Sequence, residues 1–196
     1  HQPYSTHPHR SSCNNVAPHQ SDFLDVPKAV KSYLSLGTMQ PWMTLWSSHM
    51  NVLKRHNVTV IGPHDRTAIV FAHGFGCDQN MWRYVAPQFA HDHQVVLFDY
   101  IGAGGSDLSH YDLSRYSTLD AYADDVLAIV RELDFQHSIF VGHSVSAMIG
   151  VLATIKEPER FDKLVLIGPS PHYINDGEYV GGFEASDIEA LLESLV

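Results

Sequence analysis

The sequence predicts an α/β fold with a doubly wound, mostly parallel sheet. Two observations carry that expectation. From Asn57 onward, short apolar runs of strand length alternate with helical patterns of about 10–15 residues. Parallel strands need crossovers of that size, usually helices. The runs are also nearly continuous in apolar residues, as strands covered on both faces require.

NVTVIG (57–62) reads as an edge strand closed by Gly62 and Pro63. TAIVFA (67–72) is the first buried strand. The loop HGFGCDQ leads into NMWRYVAPQFA, a predicted helix with Pro87 late in it. QVVLFD (94–99) is the second buried strand, and the glycine-rich loop YIGAGGSDLSHYDLSRY follows. Ser117 or Thr118 can cap the next helix, with Asp120 in its first turn. That helix runs to about Asp134 and sets Leu119, Tyr122, Val126, Ile129, Val130 and Leu133 on one stripe. HSIFVG (137–142) is the third buried strand. VSAMIGVLATIK (145–156) is a helix of small residues ended before Pro158, and KLVLIG (163–168) is the fourth buried strand. PSPHYINDGEYVGGFE is loop, and a last helix begins after it.

Composition narrows the function classes. At roughly 100–200 residues per domain, 196 residues allow one domain with an appendage. An apolar share of 44% with 17% charged residues argues against disorder. The net charge of −10 repels phosphate backbones, so no nucleic-acid partner is expected. No window approaches about 18 consecutive apolar residues, so no membrane span is expected. Cys13 and Cys77 cannot build a disulfide framework, which fits a cytoplasmic setting.

Residues 1–49 differ from the rest. They carry a net +1 against −11 for residues 50–196, and no helical or strand period runs through the first twenty. They are expected to be a disordered or spurious leader, with Met50 as a plausible start. Their histidines lack regular ligand spacing, and no charged segment precedes an apolar one as a secretory signal requires. No metal or other cofactor is expected. The chain is expected to be a fragment: it begins with His1, and it stops at Val196 inside the helical pattern DIEALLESLV.

The strongest chemical signal is IFVGHSVSAMIG (139–150), where Ser144 sits between a buried strand and a small-residue helix. A nucleophile elbow demands that context, with small residues flanking the serine. Gly142 meets the demand on one side. On the other, Ser146 stands where glycine is usual and is still small. A serine that merely caps the helix is the plainer alternative. The second signal is HGFG (73–76), directly after the strand TAIVFA. Acyl transfer builds negative charge on a carbonyl oxygen and needs two preorganised N–H donors there. In the elbow architecture these come from the residue after the nucleophile, Val145, and from the earlier strand's loop, here Phe75. The plainer alternative for HGFG is a tight turn.

The chain resembles the α/β-hydrolase superfamily. Within it, the chain resembles the branch that contains the RsbQ energy-stress regulator and the plant strigolactone and karrikin receptors. The matching stretches are HNVTVIG, FAHGFGCDQNMW, LFDYIGAGGSD, YDLSRYSTLDAYADDV, FVGHSVSAMIGVLA, LVLIGPSPHYIND and GGFE, across most of residues 56–184. FGCDQ, LFDY and the PSP–YINDGEY–GGFE run lean toward the bacterial RsbQ side. The resemblance implies an α/β-hydrolase fold of which residues 50–196 are the N-terminal part, ending as a helical lid begins. It implies Ser144 as nucleophile, Phe75 and Val145 as the oxyanion hole, and His73, Gly74, His143 and Tyr173 as pocket lining. It also implies that the triad's Asp and His lie beyond residue 196.

Other residues compete weakly for roles. Asp99 reads as a loop carboxylate, and His172 as a remote candidate base. Asp107 and Asp112 read as turn residues, and Cys77 as a pocket-wall thiol. GAGG (102–105) lacks the Lys-Ser/Thr of a phosphate loop. The expected function is a serine hydrolase acting on a small hydrophobic ester or lactone, with a role in stress signalling through a PAS-domain protein phosphatase and sigma-factor activation. The alternatives are a non-catalytic receptor that relays a signal to that phosphatase, and an inactive fragment without acid and base.

Overall fold

The structure, a computed structural model, describes residues 52–193. The leader expected over residues 1–49 and the start at Met50 lie outside the described residues. Five strands form one sheet: β1 (Thr59–Ile61), β2 (Ala68–Ala72), β3 (Gln94–Leu97), β4 (Ser138–His143) and β5 (Phe161–Ile167). Their order is β1-β3-β2-β4-β5. β1 is antiparallel to β3 at one edge, and every other pair is parallel. The helices are α1 (Leu119–Glu132), α2 (Val145–Lys156) and α3 (Ala185–Glu193). The doubly wound, mostly parallel sheet expected from the sequence is therefore present. Among the described residues no helix is long and apolar enough to cross a membrane.

Strand periodicity sorts the apolar residues between two faces, because successive side chains point to opposite sides. On β2, Ala68, Val70 and Ala72 join one core with Val96, Phe98 and Phe140. The same core takes Val126, Ile129 and Val130 from α1, and Ile149 and Ala153 from α2. Ile69 and Phe71 join the opposite core with Val95, Val141, Trp82 and Ala86. One face is thus covered by α1 and α2, the other by the segment between β2 and β3. Thr118 caps α1 from extended backbone without a side-chain hydrogen bond, and Asp120 lies in its first turn.

Two expectations need correction. NMWRYVAPQFA is not an α-helix but two 3-10 turns, Gln79–Trp82 and Ala86–Phe89. Pro87 has no N–H, so the helical bond back to residue 83 cannot form. The backbone instead closes tighter loops, Arg83 to Asn80 at 3.1 Å and Ala90 to Pro87 at 3.2 Å. KLVLIG is not buried either. Of β5 only Phe161 is buried, and Val165, Leu166 and Ile167 are 44%, 36% and 40% exposed. β5 is the sheet's other edge, and no strand lies beyond it among the described residues.

Candidate active site

Strand order locates the site before any side chain does. From β2 the chain moves outward to β3, then crosses back over β2 to enter β4. The order reverses between β2 and β4, and ligands of open α/β sheets bind outside the carboxyl ends of the strands at such a reversal. HGFG follows β2 and Ser144 follows β4, so both motifs lie at that crevice.

Ser144 has φ +57 and ψ −122. A non-glycine residue with positive φ is uncommon, and such strain persists only where surroundings impose it. Two hydrogen bonds and two close glycine approaches do so. The Ser144 N–H donates to the Ile167 carbonyl at the end of β5, at 2.8 Å, and Ala147 N–H donates back to the Ser144 carbonyl at 2.9 Å. A Cβ on Gly142 would lie 2.5 Å from the Ser146 carbonyl oxygen and 2.8 Å from the Ala147 nitrogen, so the turn closes only over glycine. A Cβ on Gly74 would lie 2.5 Å from His143 Nδ1 and 3.4 Å from Ser144 Cβ, so the HGFG loop packs directly on the elbow.

Ser146 does more than fit. It is fully buried, its hydroxyl donates to the His73 carbonyl, and it lies 3.0 Å from the Tyr100 hydroxyl. The elbow helix is thereby tied to the loop after β2 and to the segment after β3. Only small size was legible at this position in the sequence. Burial pushes the Tyr100 phenol well above its ordinary pKa, so it stays a neutral partner in that link.

Phe75 and Val145 border one cavity of about 870 Å³, lined also by His73, Gly74, Cys77 and Tyr100, with Ile101, Leu119 and Tyr122 among its apolar walls. Val145 is the first residue of α2, whose N–H has no acceptor inside the helix. The Phe75 side chain is 59% exposed at the rim. Ser144, His143 and Tyr173 do not line this cavity; Ser144 stands one residue before its lining residue Val145, and His143 and Tyr173 flank Ser144. His143 Nδ1 is buried against Gly74 without a hydrogen-bond partner. The Tyr173 hydroxyl lies 3.2 Å from Ser144 Oγ. That contact was invisible in the sequence, because residue 173 stands in a loop of no regular period.

His73 is committed at both ring nitrogens. Nδ1 bonds the Gly74 carbonyl at 2.9 Å, and Nε2 accepts from the Tyr100 N–H at 3.2 Å. His172 is exposed and stacks on Tyr179, with ring centroids 5.8 Å apart. Asp99 is buried and accepts from Asn57 Nδ2 at 2.7 Å, from the Gln79 and Gly105 N–H groups at 2.8 Å each, and from Gln79 Nε2 at 3.2 Å. Burial alone would raise its pKa, but the bonds from Asn57, Gly105 and Gln79 outweigh it and hold the carboxyl below its ordinary range. Asp99 is therefore a clamp between the loops after β2 and β3. Asp107 and Asp112 cap turns through Ser109 and Ser114, as expected. Among the described residues no group of three or more His, Cys, Asp or Glu side chains is placed to hold a metal ion.

The alpha/beta hydrolase fold family matches residues 67–183. A probable esterase of Oryza sativa subsp. japonica is 49% identical over 144 residues, 74% of this chain and 53% of that protein. A strigolactone esterase of Arabidopsis thaliana is 47% identical over 148 residues, 76% of this chain and 55% of that protein. Among solved structures, a hydrolase from Oleispira antarctica is 41% identical, with a TM-score of 0.69 over 74% of this chain and 53% of that one. The chain spans about half the length of the curated relatives it matches. It belongs to the alpha/beta hydrolase family, in the branch its motifs resemble.

Proposed function

We propose, from that family membership, that this chain carries the nucleophile of a serine hydrolase acting on a small hydrophobic ester or lactone. One observation carries the reading: Ser144 is held at φ +57 between β4 and α2, with Gly74 packed on it and Phe75 and Val145 bordering one cavity. The Ser144 hydroxyl attacks the carbonyl carbon, and the Phe75 and Val145 N–H groups receive the charge that grows on the oxygen. The alcohol leaves, and water hydrolyses the acyl-serine. Apolar walls favour an uncharged substrate, and about 870 Å³ is the size of a small-ligand site.

Among the described residues no histidine or carboxylate hydrogen-bonds Ser144 Oγ. The triad's acid and base belong, on this reading, to the part of the family's length that these 196 residues do not span. Loss of such partners slows a related mechanism by roughly 10⁴–10⁶-fold, and the isolated chain is slow to that extent. The same pocket serves cytoplasmic stress signalling of the RsbQ type. Capture or turnover of the ligand is relayed to a PAS-domain protein phosphatase and so to sigma-factor activation. The FGCDQ, LFDY and PSP–YINDGEY–GGFE stretches support that role. The names of the plant relatives support the ester class. A receptor without turnover is the second reading, favoured by the tyrosine, not a base, on Ser144.

Hydrolysis of p-nitrophenyl acetate by the chain and by its Ser144→Ala variant tests the reading. Slow saturable hydrolysis lost in the variant supports it. Equal rates in both overturn the nucleophile.

A further inference from the structure

We infer that Tyr173 is a positioning residue for the proposed nucleophile: its hydroxyl holds the Ser144 hydroxyl in one orientation. The inference rests on the reading of Ser144 above and adds a group to it. The two oxygens are 3.2 Å apart, and Tyr173 is the only polar partner of Ser144 Oγ among the described residues. A serine hydroxyl on a half-buried turn still rotates among staggered positions, and one hydrogen bond selects among them. The neighbouring imidazoles do not compete. Both ring nitrogens of His73 are engaged, and His143 Nδ1 is buried against Gly74.

The loop after β5 is built to deliver this phenol. The Tyr173 carbonyl accepts from the Phe183 N–H at 3.1 Å, and the Asn175 N–H donates to the Phe183 carbonyl at 2.8 Å. Asn175 also accepts from the Gly182 N–H at 2.9 Å and donates to Glu184 Oε1 at 2.7 Å. A Cβ on Gly181 would lie 2.6 Å from the Tyr173 carbonyl carbon, so only glycine lets the returning strand close on Tyr173. Residues 173–184 thus fold back on themselves and fix Tyr173 from its backbone side. The phenol acts through Ser144; it orients the hydroxyl and takes no part in bond making.

The test replaces the hydroxyl by a titratable reporter that needs no turnover. In a Ser144→Cys chain, the pH dependence of alkylation by iodoacetamide is followed at position 144 by peptide mass mapping, which separates it from Cys13 and Cys77. A phenol that donates to the thiolate stabilises it. Adding Tyr173→Phe is expected to raise the alkylation midpoint by about one pH unit. His143, the titratable neighbour, is common to both chains and cancels. The urea unfolding midpoint is expected to be the same with and without Tyr173→Phe, which separates positioning from a structural role. An unchanged alkylation midpoint overturns the inference. The ester assay on Ser144→Ala fails separately if the nucleophile reading is wrong, because the thiol reports the hydrogen bond alone.

Discussion

β2 and β5 use the same apolar vocabulary and end in different surroundings. AIVFA is buried at every position between β3 and β4, whereas FDKLVLI buries only its first residue at the sheet edge. Both strands end at the candidate site. β2 leads into HGFG, and the last carbonyl of β5 receives the Ser144 N–H. A short apolar run bounded by turn residues reads as a strand in both cases; what flanks it decides how much stability it contributes. Among the described residues, the site is held from a deeply packed side and from a thinly covered one.

Substitutions on the two sides should separate sharply. The largest effect is expected in β4, β2's neighbour. Phe140 is fully buried and meets Phe161 edge-on at 6.1 Å, so Phe140→Ala is expected to lower stability by about 3–5 kcal/mol in urea unfolding. Gly142→Ala comes next. Its Cβ would strike backbone atoms of Ser146 and Ala147, and about 2–3 kcal/mol is expected. Gly168, at the end of β5, has φ +59 with nothing within 4 Å of a Cβ, so Gly168→Ala should show only the conformational strain of about 1–2 kcal/mol.

Asp99→Asn is expected to lose about 2 kcal/mol at pH 7, because an amide cannot accept all the N–H bonds that converge there. The pH dependence has a definite sign. The folded carboxyl lies below its unfolded value, so its contribution is full above the unfolded pKa near 3.9 and fades as pH falls through the lower folded value. The gap between the parent and Asp99→Asn in unfolding free energy should therefore narrow below about pH 4. The smallest effect is expected on the open edge. Leu166→Ala should stay within about 1 kcal/mol, and a loss as large as that of Phe140→Ala would show that β5 is covered after all.

Much of this was legible in the residues. Nearly continuous apolar runs located the parallel strands, and the Gly-x-Ser turn marked the β4–α2 junction, where β4 ends at His143 and α2 begins at Val145. What the sequence hid was of two kinds. Pro87 lies late enough in its segment to leave a helical pattern before it, yet the segment forms two 3-10 turns; the lost Pro87 donor explains the break after Arg83, not the first turn at Gln79–Trp82. The polar ties of Ser146, Asp99 and Tyr173 join residues 20 to 73 apart in the chain or span a loop without period. No local pattern encodes such meetings; they follow from the topology that brings the ends of β2, β3, β4 and β5 to one side.

On the proposed reading, the β2 and β4 ends assemble a nucleophile and its oxyanion frame around Ser144. The most direct measurement is labelling with an alkyl phosphonofluoridate followed by peptide mass mapping. The frame without its acid and base still leaves about 10³–10⁴-fold catalysis over water in a comparable enzyme, so slow labelling is expected to be measurable. One phosphonylated residue, Ser144, is expected, with no label after unfolding in urea or in Ser144→Ala. Label spread over several serines, or undiminished in Ser144→Ala, would contradict that reading.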